Sequence, residues 1–180
     1  THKTSSAASD VYKRQIMDYM RPTTSKVRLA ITSMLSQELI EKSKILDIFA
    51  GIGSVSEEFD KFGPKKIVMI EKNLKNIKLL EKKFKDKYEI KKGDVYSLVP
   101  KLNEKFNIIF ADPPYEHREF PRIADLIFES KTIEEDGLLI YEHYKDYVLP
   151  DQYIDFKKVR DKKYGDSRLS IYKLIGEPNE

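Results

Sequence analysis

The 180-residue sequence contains no cysteine, and this absence excludes disulfide bonds, thiolate metal sites and a cysteine nucleophile. Its histidines are scattered at His2, His117 and His143 without metal-ligand spacing, so we expect no bound metal. There is no apolar run long enough to cross a membrane and no visible secretory signal. We therefore expect a cytoplasmic protein without a membrane partner, and the length suits one domain.

The first residues form an unusual polar stretch. Residues 5–15 read SSAASDVYKRQ, which is the translation of a transposon-based sequencing-library adapter. We expect residues 1–15 to be a non-native, adapter-derived segment and residues 16–180 to form a single domain. Without residues 1–15 the formal net charge falls from +3 to +1, because three basic residues and one acidic residue are removed. The overall charge therefore neither favours nor excludes a nucleic-acid partner.

Apolar residues recur in patterns that alternate between strands and helices. Strands are predicted at residues 44–50, 65–71, 88–94, 106–111, 137–144, 153–160 and 167–174, and helices at 24–40, 54–62, 73–85 and 120–130. This alternation predicts an α/β fold, with a mostly parallel sheet that helices cover on both faces. The turn at Gly165-Asp166 predicts that the last two strands form an antiparallel C-terminal hairpin.

Acidic residues stand at the predicted carboxyl ends of four strands, where parallel sheets bind their ligands. They are Asp47, Glu71, Asp94 and Asp112. Gly51 and Gly53 follow the first strand and allow a ligand to approach the backbone closely. The dinucleotide pattern GxGxxG is incomplete, however, because Ser56 replaces its third glycine.

Two of these acids suggest the kind of ligand. Glu71 lies about twenty residues beyond the glycine loop, where an acid can accept hydrogen bonds from both ribose hydroxyls. Asp94 is placed to accept from an adenine amino group. The set fits a ribose–adenine ligand without phosphates, such as S-adenosylmethionine. Taken singly, each acid is equally compatible with a turn cap, a solvated strand end or an Asx turn.

The stretch Asp112-Pro113-Pro114-Tyr115 predicts a stiff loop after a strand, because two adjacent prolines cannot extend a strand. The exocyclic amine of a nucleobase is a weak nucleophile, since its lone pair is delocalised into the ring. The Asp112 carboxylate and the Pro113 carbonyl can accept its hydrogens, and Tyr115 offers a ring for stacking. The stretch therefore predicts a preorganised amine clamp, with an ordinary Pro-Pro turn as the alternative.

Five motifs resemble one known family. They are MRPTTSKVR (Met20–Arg28), LDIFAGIGS (Leu46–Ser54), ADPPY (Ala111–Tyr115), IYEH (Ile140–His143) and YGDSRLSIY (Tyr164–Tyr172). On these motifs the chain resembles the bacterial small-subunit rRNA (guanine-N2)-methyltransferases, the RsmD-like family of class I S-adenosylmethionine-dependent enzymes. The resemblance implies a seven-stranded Rossmann-like sheet and methyl transfer to one guanine N2. The substrate would be ribosomal RNA, free or in a small-subunit assembly particle.

The resemblance also implies roles for individual residues. Cofactor binding falls to Asp47, Phe49, Ala50, Gly51, Gly53, Glu71 and Asp94. The catalytic residues that hold the flipped guanine would be Asp112, Pro113, Pro114 and Tyr115. Substrate binding would also involve Arg21, Thr23, Arg28 and Tyr115. For the RPTT segment the alternative is a helix cap with two solvated arginines.

The chain departs from the family before RPTT, where members usually carry a basic β-hairpin. Here the adapter-like residues occupy that region, so we expect the hairpin to be missing and the chain to bind cofactor well but RNA poorly. We expect a monomer. Three alternatives stay open: a DNA adenine-N6 or cytosine-N4 methyltransferase, a protein glutamine methyltransferase, and a non-catalytic RNA-binding assembly factor on a methyltransferase scaffold. The first lacks room for a target-recognition domain, and the second expects Asn in place of Asp112.

Overall fold

The computed structural model describes residues 24–114 and 116–176. The strands are β1 (Lys44–Ile48), β2 (Lys66–Glu71), β3 (Glu89–Lys92), β4 (Phe106–Ala111), β5 (Ile133–Tyr144), β6 (Gln152–Tyr153), β7 (Phe156–Tyr164) and β8 (Ser167–Leu174). The helices are α1 (Ser25–Met34), α2 (Gln37–Lys42), α3 (Ser54–Asp60), α4 (Leu74–Phe84), α5 (Val95–Leu98) and α6 (Phe120–Glu129), with 3-10 helices at Val99–Lys101 and Glu116–Glu119.

The strands form one mixed sheet in the order β3-β2-β1-β4-β5-β8-β7-β6. The pairings from β3 to β5 are parallel, and those from β5 to β6 are antiparallel. The predicted Rossmann-like α/β fold is confirmed. The sheet has one strand more than the seven expected, because residues 152–153 pair with the start of β7.

Helices cover both faces of the parallel half of the sheet. On one face, residues such as Leu46, Ile48 and Val68 pack against α5 and α6. On the other face, their strand neighbours Ile45 and Ile67 pack against α1, α2, α3 and α4. Because successive strand residues point to opposite faces, a strand buried on both sides is apolar at nearly every position. This explains why these segments read as continuous apolar runs in the sequence.

The single helix predicted over residues 24–40 is wrong. Leu35 is extended (φ −105°, ψ 144°), and the Ser36 side chain begins α2 by accepting a hydrogen bond from the Leu39 N–H at 3.1 Å. A serine that satisfies a free helical N–H favours a new helix start over the middle of an old one. The apolar stripe crosses the break unchanged because α1 and α2 bury residues of the same hydrophobic cluster.

Two strand boundaries differ from the prediction, one where β5 pairs with β4 and one in the C-terminal hairpin. β5 begins at Ile133 instead of residue 137, with Asp136 in the left-handed region at φ +61° and an irregular register opposite β4. β7 runs over Phe156–Tyr164 instead of 153–160, and Gly165 (φ +60°) turns the chain into β8 as predicted.

Across residues 24–114 and 116–176, each helix is too short or too polar to cross a membrane.

Candidate functional site

A cavity of about 320 Å³ opens at the carboxyl ends of β1, β2 and β4 and beside the turn after β3. It is lined by Asp47, Phe49, Ala50, Gly51, Ile52, Ser54, Val55, Ile70, Glu71, Lys72, Asn76, Gly93, Asp94, Val95, Phe110, Asp112 and Pro114. Ile48 pairs with Ile70 on one side and Ala111 on the other, so these strands end at the same level. This is the place where open α/β sheets bind ligands.

The structure brings most of the predicted site residues to this cavity. Its lining includes Asp47, Phe49, Ala50, Gly51, Glu71, Asp94, Asp112 and Pro114. Gly53, Pro113 and Arg28 do not line it. Arg21, Thr23 and Tyr115 lie outside the described residues, as does the adapter-like segment. The cavity therefore joins the predicted nucleoside end and the predicted amine clamp in one opening.

The glycine loop after β1 turns sharply with left-handed backbone angles. Phe49 has φ +60° and Gly51 has φ +59°, and the Ala50 N–H donates to the Ile70 carbonyl at 2.9 Å. A left-handed bulky residue is strained by about 1–3 kcal/mol, and such strain concentrates at functional sites. A Cβ added at Gly51 would meet no atom of residues 24–114 or 116–176 within 4 Å, so this glycine leaves open space beside those residues at the cavity.

Gly53 belongs to the same loop but packs against α4. It has φ +81° and stands at the N-terminus of α3. A Cβ there would lie 2.6 Å from Leu80 Cδ2 and 2.9 Å from Phe84 Cε2, both on α4. The first glycine thus gives access to a ligand, whereas the second allows close packing of the loop against a helix.

Glu71 ends β2 and fastens the glycine loop. Its Oε2 accepts a hydrogen bond from the Gly51 N–H at 2.6 Å, while Oε1 accepts from the N–H groups of Lys72 and Asn73, both at 2.9 Å. Each carboxylate oxygen has lone pairs left after these bonds. Glu71 is therefore held rigidly by the backbone while it lines the cavity, and its remaining acceptor capacity suits a diol such as a ribose.

Asp47 is buried in the wall of the cavity. Its Oδ2 accepts from the Ser56 hydroxyl at 2.6 Å, and its Oδ1 has no hydrogen-bond partner among the described residues. Burial raises the pKa of Asp47 to about 7, opposed by the Ser56 hydrogen bond and assisted by the negative charge of Glu71. A buried carboxylate oxygen without a partner marks a place where a hydrogen-bond donor or a cation of a ligand would be favoured.

Asp94 has two roles at the turn after β3. Its Oδ2 caps α5 by accepting from the Ser97 N–H at 3.2 Å, as an Asx-type cap does. The same residue is exposed and lines the cavity between Gly93 and Val95. The two interpretations of this acid, turn cap and ligand contact, are therefore structurally compatible.

The proline loop begins at the far side of the cavity. β4 ends at the buried Ala111, and the next residue, Asp112, lines the cavity together with Pro114. Pro113, between them, is buried. The two prolines restrict the backbone of this loop without any hydrogen-bond donors of their own. The loop thus presents a carboxylate to the cavity from a conformationally restricted segment.

These residues fit S-adenosylmethionine, which carries a ribose, an adenine and positive charges on its sulfonium and amino groups. Among the described lining residues, four carboxyl groups stand against one lysine, Lys72, so this part of the lining favours a cation. Glu71 would hold the ribose, Asp94 the adenine side, and Asp47 a positively charged group. The open space at Gly51 leaves room for a close approach of the ligand to the backbone.

Several cavity residues were missed in the sequence. They include Ile52, Ser54, Val55, Ile70, Lys72, Asn76, Val95 and Phe110. Val95 directly follows Asp94, and Phe110 lies two residues before Asp112, so proximity in the chain was an available signal. Ser56, which bonds to Asp47, stands where a third glycine was sought, and only the packing of α3 against β1 reveals its role.

Comparison with known proteins gives consistent matches. Residues 13–173 match the protein family described as Conserved hypothetical protein 95. A Bacillus subtilis (strain 168) protein, provisionally named rRNA methyltransferase YlbH, is 30% identical over 164 residues, which cover 87% of this chain and 89% of the relative. Ribosomal RNA small subunit methyltransferase D of Buchnera aphidicola subsp. Acyrthosiphon pisum (strain APS) is 25% identical over 151 residues, 77% and 76% of the two chains. The solved structure of an Escherichia coli protein, provisionally named methyltransferase yhhF, has a TM-score of 0.78 at 22% identity and supports the fold, covering 87% and 88%.

Proposed function

We propose a function from one premise: this chain belongs to the RsmD-like family of S-adenosylmethionine-dependent methyltransferases. We infer that it methylates the exocyclic N2 amine of a guanine in small-subunit ribosomal RNA. The names of its relatives from Bacillus and Buchnera support ribosomal RNA as the substrate class. The resemblance in the ADPPY motif supports an amine as the acceptor, and the family resemblance supports guanine N2.

One observation carries this proposal: Asp112 lines the same cavity as Gly51 and Glu71. A nucleoside cofactor at the glycine loop and an amine at the proline loop would therefore share one opening. Holding two reactants side by side in a defined geometry is a large part of catalysis by positioning. A binding module without catalytic activity would not need an acidic acceptor at this position.

In the proposed mechanism the residues of this chain bind the amine and accept its hydrogens. The Asp112 carboxylate accepts an N–H of the guanine amine and so draws the nitrogen lone pair out of the ring. The restricted backbone of Pro113 and Pro114 limits the positions that this acceptor can take before the substrate arrives. When bound, S-adenosylmethionine supplies an electrophilic methyl group on a positively charged sulfur. The nitrogen loses one proton as it gains the methyl group, and Asp112 is the base beside it.

At the other end of the cavity, Glu71 and Asp94 orient the cofactor through its ribose and adenine. Asp47 would offer its Oδ1, which has no hydrogen-bond partner within the described part of the chain, to a positive group of the cofactor. Glu71 also keeps the Gly51 N–H in place, so the loop that faces the cofactor is ordered by the residue that binds it. One set of residues therefore orients the cofactor, and a second set, around Asp112, accepts the hydrogens of the amine.

The experiment is a methylation assay with tritiated S-adenosylmethionine. The substrates are small-subunit ribosomal RNA and small-subunit particles from a strain that lacks this gene, and a DNA duplex serves as the comparator. We expect labelled N2-methylguanosine in digests of the RNA, and loss of the label with Asp112→Ala. Label on adenine N6 or cytosine N4 of the DNA alone would contradict the proposal. Cofactor binding in calorimetry without transfer to either RNA substrate would instead favour an assembly factor.

A further inference from the structure

Tyr96, Glu119 and Arg122 form a side-chain cluster beside the cavity that the proposed mechanism does not use. The Tyr96 hydroxyl donates a hydrogen bond to Glu119 Oε2. The Arg122 guanidinium lies over the Tyr96 ring, 3.6 Å from the ring centroid, and its Nη1 is 3.8 Å from Glu119 Oε2. The cluster therefore joins two segments that lie 23 residues apart in the chain.

The first of these segments belongs to the cofactor end of the cavity. Tyr96 is the second residue of α5, and the three residues before it, Gly93, Asp94 and Val95, all line the cavity. Asp94 caps this helix, so a ligand that contacts Asp94 acts directly on the turn that carries Tyr96. Tyr96 therefore lies directly after residues of the cavity lining, on the turn that Asp94 caps.

The second segment belongs to the proline loop. Glu119 ends the 3-10 helix that follows the loop, and Phe120 begins α6 in the core. The chain between β4 and α6 is therefore held at Ala111 by the sheet and at Glu119 by Tyr96. Asp112 lies within this doubly attached segment. The bond at Glu119 adds a side-chain attachment to the backbone packing that already places the 3-10 helix against β5.

The chemistry of the cluster favours a durable bond. Tyr96 is half-buried, and burial together with the hydrogen bond to Glu119 raises the pKa of its hydroxyl above the usual value. The hydroxyl therefore stays protonated and remains a donor at neutral pH. Hydrogen bonds to charged groups are among the stronger ones in proteins. The Arg122 side chain is 63% exposed, so its ion pair adds less.

We propose that Tyr96 is a positioning residue: through Glu119 it couples occupancy of the cofactor end of the cavity to ordering of the loop that carries Asp112. This inference rests on the proposed amine transfer, since it assigns Asp112 a reacting partner. With cofactor in place, the loop is already ordered when the nucleobase enters. The entropic cost of ordering the loop is then part of the free energy of cofactor binding, and it does not add to the barrier of the reaction step.

Hydrogen exchange measured by mass spectrometry tests the coupling without any RNA. S-adenosylhomocysteine is added at saturation, and exchange is followed in the peptide that spans residues 112–120. We expect the ligand to slow exchange of this peptide in the parent protein. In Tyr96→Phe we expect less than half of that protection, at a ligand affinity changed by about twofold or less. Equal protection in Tyr96→Phe and the parent would overturn the coupling.

Two further changes separate positioning from general stability. Glu119→Gln keeps an acceptor for the Tyr96 hydroxyl and should retain the protection, whereas Glu119→Ala should lose it. Tyr153→Phe is the matched control, because Tyr153 donates to Asp125 on α6 at 3.0 Å and is not one of the residues that line the cavity. If Tyr153→Phe lost as much protection as Tyr96→Phe, the effect of Tyr96 would be one of fold stability and the positioning role would be overturned. The thermal midpoint of each variant confirms that it is folded.

Kinetics give the second readout. With an active RNA substrate, Tyr96→Phe should lower kcat about tenfold and leave the KM for S-adenosylmethionine nearly unchanged, since misplacement of an acceptor affects the reaction step. An unchanged kcat would overturn the positioning role. Absence of methylation in the parent protein would contradict the proposed function alone, because the exchange experiment stands without a substrate.

Discussion

The two ends of the cavity are made rigid by different means. At the cofactor end, the Glu71 carboxylate is bound by backbone N–H groups, and the same carboxylate lines the cavity. At the acceptor end, two proline rings restrict the backbone that directly follows Asp112. Changes at the cofactor end should therefore disturb structure and binding together. Changes of Asp112 should lower the reaction rate far more than they weaken cofactor binding, and this difference can be tested.

The largest effect is expected for Asp112→Ala. Loss of the acceptor should lower kcat by about a hundredfold to a thousandfold, the range seen when one preorganised stabilising group is removed. The affinity for S-adenosylmethionine, measured by calorimetry, should stay within about threefold, because the other end of the cavity is intact. Asp112→Asn retains one acceptor oxygen, so its kcat should lie between those of the parent protein and Asp112→Ala. Retained turnover in Asp112→Ala would remove this residue from the mechanism.

Asp47→Asn should change the pH dependence of stability. The pKa of Asp47 is about 7 in the folded state against 3.8 ordinarily, so the folded state binds the proton more tightly than the unfolded state. The stability contributed by the protonated form is present below pH 3.8 and is lost as the pH rises through 7. Asparagine stays neutral and should remove this loss, which is at most about 4 kcal/mol at pH 8.

The measurement is urea unfolding of the ligand-free protein between pH 4 and pH 8. The difference in free energy of unfolding between Asp47→Asn and the parent should grow with pH in the direction of a more stable variant. Ser56→Ala removes the hydrogen bond that lowers this pKa, so it should extend the loss of stability to higher pH. Parallel pH profiles for Asp47→Asn and the parent would show that this carboxyl does not titrate as described.

Glu71→Ala should weaken cofactor binding about tenfold to a hundredfold, because a charged acceptor for the ribose and the fastening of Gly51 are lost together. Turnover at saturating cofactor should fall much less. Glu57→Ala is a suitable control, since Glu57 is an exposed acid on α3 that pairs with Lys83 and does not line the cavity. Unchanged affinity in Glu71→Ala would disprove its role at the cofactor end.

The smallest effects should distinguish the two glycines. Gly53→Ala should lower the free energy of unfolding by about 1–2 kcal/mol, because alanine is strained at φ +81° and would collide with Leu80 and Phe84. Gly51→Ala carries a similar backbone strain, but its methyl group would meet no atom of the residues that the structure describes, so it should chiefly reduce cofactor affinity. Chemical unfolding and calorimetry on both variants measure the two effects. Equal losses of affinity would contradict the division of roles.

Much of the fold could be predicted because short stretches of sequence, such as apolar runs and turn residues, indicate its strands and turns. The apolar runs of β1, β2 and β4 reflect burial on both faces, and the turn at Gly165-Asp166 specified the hairpin. Boundaries were harder to predict. The break at Leu35-Ser36 was hidden because the apolar period continues across it, and the start of β5 was hidden by an irregular register. In each case a cap or a bulge overrode the periodicity.

The candidate site was predictable where its residues follow strand ends. Asp47, Glu71, Asp94 and Asp112 could be placed together from topology alone, because parallel strands present their carboxyl ends at one edge. The partners of these acids could not be predicted. Ser56 bonds to Asp47 because α3 packs on β1, and Gly51 bonds to Glu71 because β2 lies next to β1. Neither contact has a local signature.

By itself, the sequence determined the order of strands and helices, the stiffness of the proline loop and the acids at the strand ends. These depend on backbone propensities and side-chain chemistry within short segments. The tertiary structure alone decided that Asp47 is buried with a raised pKa and that Tyr96 reaches Glu119. Burial and hydrogen-bond partners depend on segments far apart in the chain, and these meet only once the sheet has assembled.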